Sequence, residues 1–264
     1  MNIYMNYSDE QVNIFKRGFH DVKRLHTILV KKILFTEVSI KNVKAREFLM
    51  QGVKIRLDIL YQCIENIFND FPPESEKLLG IYKITDININ LHAFLINVIG
   101  IIENLALFIA YEKNLLNPSI SEEKQRKNVG LFKKEFLKKL PPTLQDYFSK
   151  NGKLYNWYDE YARNYRDALA HRIPPFVPPM QLNEKEAEIR IKLDKEIKNF
   201  ELTDSNYNEL RDMVRKSWTI GSPAKYFFHS ISEKSRFVVL HGQILNDFIT
   251  LKDMIFFVLE NIDV

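Results

Sequence analysis

Apolar residues return every three or four positions along most of this chain, the period of a helix with one buried face. Val12, Phe15, Phe19, Val22 and Leu25 predict a first helix from Ser8 to about Leu34, opened by Ser-Asp-Glu-Gln. Phe48, Ile55, Leu57, Ile59, Ile64 and Ile67 predict a second, roughly Val38 to Phe71, closed by Pro72-Pro73. The third, Asp86 to about Asn114, contains INVIGIIENLALFIAY. Asn97, Glu103 and Asn104 interrupt it and leave it short of a membrane span, so it reads as the buried central helix of a bundle. Ser119 to Leu140 begins with a capping-box pattern, Ser119-x-x-Glu122, and ends at Pro141-Pro142. A short helix near Leu144 to Ser149 follows and leads through Asn151-Gly152 into the stretch that organises the rest, Tyr155 to Met180.

In that stretch Trp157, Tyr158, Tyr161, Tyr165, Ala168 and Leu169 form one stripe at helical spacing. Pro174 and Pro175 end the helix by removing a donor and pushing Ile173 out of the α region. His171 and Arg172 therefore sit at a helix C-terminus. Beyond it, Asn183 to Asn199 suits either a strand, from the alternation at Ile189, Ile191 and Leu193, or a charged helix. Asp204 to Trp218 reads as helix with Asp204 or Ser205 as cap, and Gly221-Ser222-Pro223 as a break. A final helix, roughly Gly242 to Ile262, buries Leu245, Phe248, Leu251, Ile255, Val258 and Leu259. The expectation is an all-α, up-and-down helical bundle in a single domain spanning 1–264, with no internal repeat and no low-complexity linker.

Composition narrows the class. Only 8 glycines in 264 residues argue for long helices over a turn-rich β architecture. A net charge of +4, with 38 basic residues against 34 acidic, is compatible with a nucleic-acid partner without demanding one. Lys133, Lys134, Lys138 and Lys139 make 119–140 the most basic segment, either a solvated helix face or a phosphate-binding strip. The lone Cys63 excludes an intramolecular disulfide and a cysteine zinc site and suits a reducing, cytoplasmic interior. MNIYMNYSDEQ lacks the basic start and apolar run of a secretory signal. There is no Gly-rich phosphate loop, no H-E-x-x-H, no G-x-S-x-G and no acidic cluster at metal-ligand spacing, so neither a metal nor a cofactor is expected.

What remains is Arg-x4-His, present twice, as Arg166 to His171 and as Arg236 to His241. After Arg166 comes Asp167, able to orient a guanidinium; after Arg236 comes Phe237, a core residue. The first pair, RDALAH, resembles the motif of the HEPN superfamily of helical bundles: Arg, a polar residue, and a short spacer ending in His on a late helix. The extension HRIPPFVPP and the later FFHSISEKSRFVVLHGQILNDFITL, with His241 and Asp247, resemble an uncharacterised bacterial HEPN subgroup. The likeness covers about 155–180 and 226–252, within a HEPN-like core of about 37–262. It implies a homodimer with motif helices facing each other and, in many members, a metal-independent endoribonuclease with toxin or phage-defence roles. Other members have no known catalytic activity, so a scaffold binding RNA, a nucleotide or a protein partner stays open.

Elementary chemistry assigns the roles. RNA cleavage without a metal needs a base for the 2′-OH proton and a cation for the crowded phosphorane. Imidazole at His171 suits the first and a bidentate guanidinium at Arg166 the second. Asp167 holds Arg166, while Asn164, Tyr165 and Arg172 contact the RNA. Two chains meeting at the helix end supply two of each group. The same residues have an ordinary reading: a cation near a helix C-terminus satisfies orphan carbonyls, and Arg166 with Asp167 forms a surface ion pair. His241, Gly242 and Asp247 read as a helix N-terminal cap with local hydrogen bonds. The tyrosines and Trp157 read as core or dimer seam, with base stacking the other use.

Overall fold

Ser8 starts the first helix, α1 (Asp9–Glu37), through a closed capping box: its Oγ accepts from Gln11 N (3.2 Å) and Gln11 Oε1 accepts from Ser8 N (2.9 Å). A computed structural model describes residues 6–117, 119–150, 153–203, 205–233 and 235–262. The second predicted helix is one rod in three parts. These are α2 (Val43–Glu47), capped by Asn42, a π-helical turn (Phe48–Lys54), and α3 (Ile55–Asp70). Then come α4 (Ile81–Glu112) and, at the far end of the chain, α12 (Leu240–Asn261). These long helices pack as a predominantly helical bundle: α3 lies along α4, α1 on α12 and α3, and α12 against α4. Phe71, Phe94, Phe108, Phe148, Phe227 and Phe248 are the largest fully buried side chains of the core.

α4 is the central helix, but not because it is too short to span a membrane. Its length and hydropathy would suffice, and 72% of its most apolar window is buried by the rest of the chain. The polar interruptions are handled individually. Asn97 is buried, accepts from Arg56 Nη1 (2.8 Å) and donates to Ala93 O (2.7 Å), while Glu103 faces out.

Residues 119–140 and the cap of the 204–218 helix differ from the sequence reading, while 183–199 takes one of the two forms left open. Residues 119–140 form not one helix but two single turns, α5 (Glu122–Arg126) and α6 (Lys134–Leu137). Leu131, Phe132 and Phe136 are buried and draw this chain onto the core, which an unbroken helix with so few apolar positions would not do. The Ser119 capping box is absent, because Lys44, Arg126 and Tyr111 claim the Glu122 carboxylate. The ambiguous 183–199 is a helix, α10 (Glu184–Lys198), fixed by a capping box between Asn183 and Glu186. Ile189 and Ile191 are exposed, so their alternation served no sheet face. It packs on α11 (Tyr207–Ser217), whose N-cap is Asn206; Ser205 bonds Thr203 instead, and the other expected cap, Asp204, lies outside the described residues. Also outside them are Asn151-Gly152 and residues 1–5, part of the stretch read for a secretory signal. A short helix, α7 (Pro142–Tyr147), takes Pro142 into its first turn, where a missing N–H costs nothing.

The one sheet among the described residues is small: β1 (Tyr226–Phe227) pairs antiparallel with β2 (Val238–Val239). The Pro-rich segment after the motif helix extends it through the bridges Phe176–Phe228 and Gln181–Ser222. Three bonds hold that segment on α4: Pro175 O accepts from His92 Nε2 (2.6 Å), Val177 N donates to Asn88 Oδ1 (2.7 Å), and Val177 O accepts from Asn88 Nδ2 (3.4 Å). Gly221 makes the bend possible at φ +104, where a Cβ would stand 2.6 Å from Gln181 O. Gly221→Ala is expected to cost about 1–3 kcal/mol in a denaturant titration, since both the backbone well and the space oppose a methyl group.

Candidate functional site

The motif helix is built in three parts that continue one another: α8 (Lys153–Asn156), a π-helical turn (Trp157–Ala162), and α9 (Arg163–His171). Its docking rests on a residue far away in sequence. Asp247, fully buried in α12, accepts from Trp157 Nε1 (2.8 Å), Tyr161 Oη (2.8 Å) and Gln243 Nε2 (2.7 Å). It is a clamp between α12 and the motif helix, not the local capping residue the sequence suggested. Burial pushes its carboxyl up to about 6, against the pull of those three donors.

His241 is likewise no cap. Its ring is fully buried; Nε2 donates to Phe71 O (2.6 Å), and Nδ1 lies 3.2 Å from the Tyr7 hydroxyl, which donates to Lys225 O. Burial pushes its pKa down to about 4. The two groups have opposite pH signatures. Between about pH 4 and 6.5 the unfolded chain binds the His241 proton and the native chain does not, so stability from His241 falls as pH falls. Asp247 is protonated sooner in the native state, so between about 6 and 3.8 it contributes stability as pH falls. His241→Gln is expected to gain roughly 3 kcal/mol on wild type between pH 7 and 4, read from urea titrations across that range.

Around α9 the predicted residues separate into two groups. Arg166 is 28% exposed and braced by two carboxylates: Nη1 to Asp167 Oδ1 at 3.2 Å and Nη2 to Glu103 Oε1 of α4 at 3.3 Å. Its buried Nε has no partner. Asp167 thus touches Arg166 as expected and also faces Arg163 Nε at 3.7 Å. Glu103 was missed because nothing local ties it to a residue 63 positions on. His171 ends the helix, exposed, with no hydrogen bond or ion pair among the described residues. The helix stays α through His171, so Arg166 and His171 project about 140° apart and no frayed turn brings them together within one chain.

The second group faces the other way. Arg172 adopts an extended backbone, and its Nη2 folds back onto Asn164, donating to O (3.0 Å) and Oδ1 (2.5 Å); Nη1 meets Glu233 at 3.1 Å. Tyr165 is buried, its hydroxyl spent on Arg236 O (2.5 Å). Asn164, Tyr165 and Arg172 line a cleft of about 710 Å³ with His229, Glu233 and Arg236; Arg166, Asp167 and His171 do not. His229 is 2% exposed, and its Nδ1, 3.5 Å from Glu233 Oε2, makes no hydrogen bond. Burial and the neighbouring Arg172 lower its pKa. The second Arg-x4-His is split: Arg236 is exposed and pairs with Glu160 (3.2 Å), while His241 is in the core. Trp157, Tyr158 and Tyr161 are half-buried and pack on the main core, with Trp157 and Tyr161 also lining the cleft.

Comparison of the chain with protein-family models, curated proteins and solved structures gives no match.

Proposed function

We propose that this chain is a metal-independent endoribonuclease of HEPN type acting as a homodimer through its motif helix. The observation that carries the reading is the contrast on α9: Arg166 is held in place by Asp167 and Glu103, while the His171 imidazole is exposed and uncommitted. In the reaction, His171 takes the 2′-OH proton, the oxygen attacks phosphorus, and Arg166 stabilises the doubly charged phosphorane. The His171 imidazolium returns a proton to the departing 5′ oxygen, and the product is a 2′,3′-cyclic phosphate. Since Arg166 and His171 of one chain diverge, the composite site takes Arg166 from one protomer and His171 from the other. Exposed apolar residues flank the motif on the side a partner would cover: Ile89 and Ile96 lie fourteen and seven positions before Glu103 on α4, and Ile173 follows two residues after His171. Toxin or phage defence is the setting that the HEPN resemblance suggests, and the lone, free Cys63 suits a cytoplasmic location.

A second reading has its own support. Two carboxylates already meet the charge of Arg166, and the cleft beside Arg172 and His229 offers a separate binding site. That combination suits a non-catalytic scaffold for RNA, a nucleotide or a protein partner. Incubation with a labelled RNA pool in EDTA, beside Arg166→Ala and His171→Ala variants, separates the two. Cleavage by wild type that both variants lose supports the nuclease. Cleavage equal in all three, or absent in all three, leaves the scaffold.

A further inference from the structure

Two clefts on the α4–α6 side of the motif helix share part of their walls, and the second reaches Glu103, which pairs with Arg166. The larger, about 770 Å³, is lined by Lys133, Lys134, Lys139, Lys150 and by Arg163 from the first turn of α9. Its single lining carboxylate, Glu135, is neutralised by Lys138 (2.9 Å). Phe132 and Phe136 form the buried floor, and Lys150 sits over the half-buried ring of Tyr155, 5.5 Å from its centroid. The smaller cleft, about 370 Å³, shares Val129, Phe132 and Lys133 with the first, adds Arg126 and Lys127, and reaches Tyr158 and Glu103. Glu103 is the carboxylate that braces Arg166, so this cleft reaches the partner of the proposed phosphate clamp. Phe132 and Tyr158, stacked at 4.1 Å between centroids, lie where the two clefts meet.

We infer that the two clefts form one trough, the track for a single-stranded RNA, feeding its backbone from Lys139 and Lys150 past Lys133 to Arg166. The ligand class follows from the lining. Lys133, Lys134, Lys139 and Lys150 make no ion pair among the described residues, while Arg163 is paired with Asp159 and Arg126 with Glu122. A row of unpaired lysines recognises a polyanion whose successive phosphates lie along it, not one anion. Aromatic rings along it favour unpaired bases, which stack on them, over a duplex, whose bases are already stacked. The inference rests on the ribonuclease reading for the identity of the polyanion as RNA. It adds to that reading a binding surface that Arg166 and His171 do not themselves supply.

The test is fluorescence anisotropy with a labelled single-stranded RNA of about a dozen nucleotides, in EDTA, on the His171→Ala background so that the probe stays whole. The triple variant Lys134→Gln, Lys139→Gln, Lys150→Gln is expected to bind at least ten-fold more weakly. The slope of log affinity against log salt is expected to fall in magnitude by about 2, since each lost phosphate contact on a single strand is worth about 0.7. Tyr155→Leu is expected to weaken single-strand binding about ten-fold while leaving the salt slope alone. A control triple on α10, Lys192→Gln, Lys195→Gln, Lys198→Gln, removes the same charge elsewhere and should change affinity less than two-fold. Equal loss in both triples, no binding by any form, or tighter binding of a duplex of the same length overturns the trough. The outcomes separate the two proposals. RNA cleavage with no effect of the trough variants on binding sinks the trough and keeps the nuclease; trough-dependent binding without cleavage does the reverse.

Discussion

His171→Ala is expected to lower RNA cleavage by about 10²–10⁴-fold, the usual worth of a positioned general base, with the melting temperature almost unmoved. The second half of that expectation follows from its surroundings: the imidazole is exposed and bonds nothing among the described residues, so its removal leaves no cavity and no orphaned partner there. Only a fraction of a kcal/mol of helix-terminus electrostatics is at stake. Arg166→Ala should match it in activity but not in stability, because it strips Glu103 and Asp167 of their shared cation. Mixing the two inactive variants gives the sharper result. If one protomer lends Arg166 and the other His171, a heterodimer carries one intact site, and random pairing restores about a quarter of wild-type cleavage. Sites confined to one chain would restore nothing.

Asp247→Ala is expected to cost about 3 kcal/mol or more of folding stability. The change leaves Trp157 Nε1, Tyr161 Oη and Gln243 Nε2 without their common acceptor, and each buried donor left unmade costs on the order of 1–3 kcal/mol. Loss of the buried carboxylate's own desolvation cost, already visible in its raised pKa, offsets part of this. The loss should localise. Trp157 gives the readout: its emission should shift to the red in the variant at temperatures where the bundle is still folded. Asp212→Ala, at an exposed position on α11, should stay within about 0.5 kcal/mol.

The long helices were legible in the chain because period and caps are local signals. Ser8 with Gln11, the 3–4 spacing of α1, and Pro72-Pro73 each act within a few residues of what they determine. The Asp167 contact with Arg166, between neighbours in the chain, was legible for the same reason. Partners supplied by other elements were not. Glu103 meets Arg166 across 63 positions and Asp247 meets Trp157 across 90, and periodicity says which face of a helix is covered without saying by what. The cleft around His229 was hidden in another way. Its walls come from α9, from the 229–239 segment and from α12, which the sequence read as separate stretches. The alternation at 189–193 left strand and helix open because exposed isoleucines carry the same letters as buried ones.

The π-helical turn at Trp157–Ala162 is, in hydrogen-bonding terms, one residue more than an α-helix needs over that span. Trp157 and Tyr161, the motif helix's donors to Asp247, both lie within it, and Arg166 follows in α9. One residue corresponds to about 100° of rotation about the helix axis. The turn therefore works as an angular offset: it lets α12 grip the aromatic side of the helix while Arg166 is aimed at Glu103. A lineage that gained or lost one residue there would re-aim the whole RDALAH face without touching a motif residue. Comparison of motifs alone would not reveal such a change.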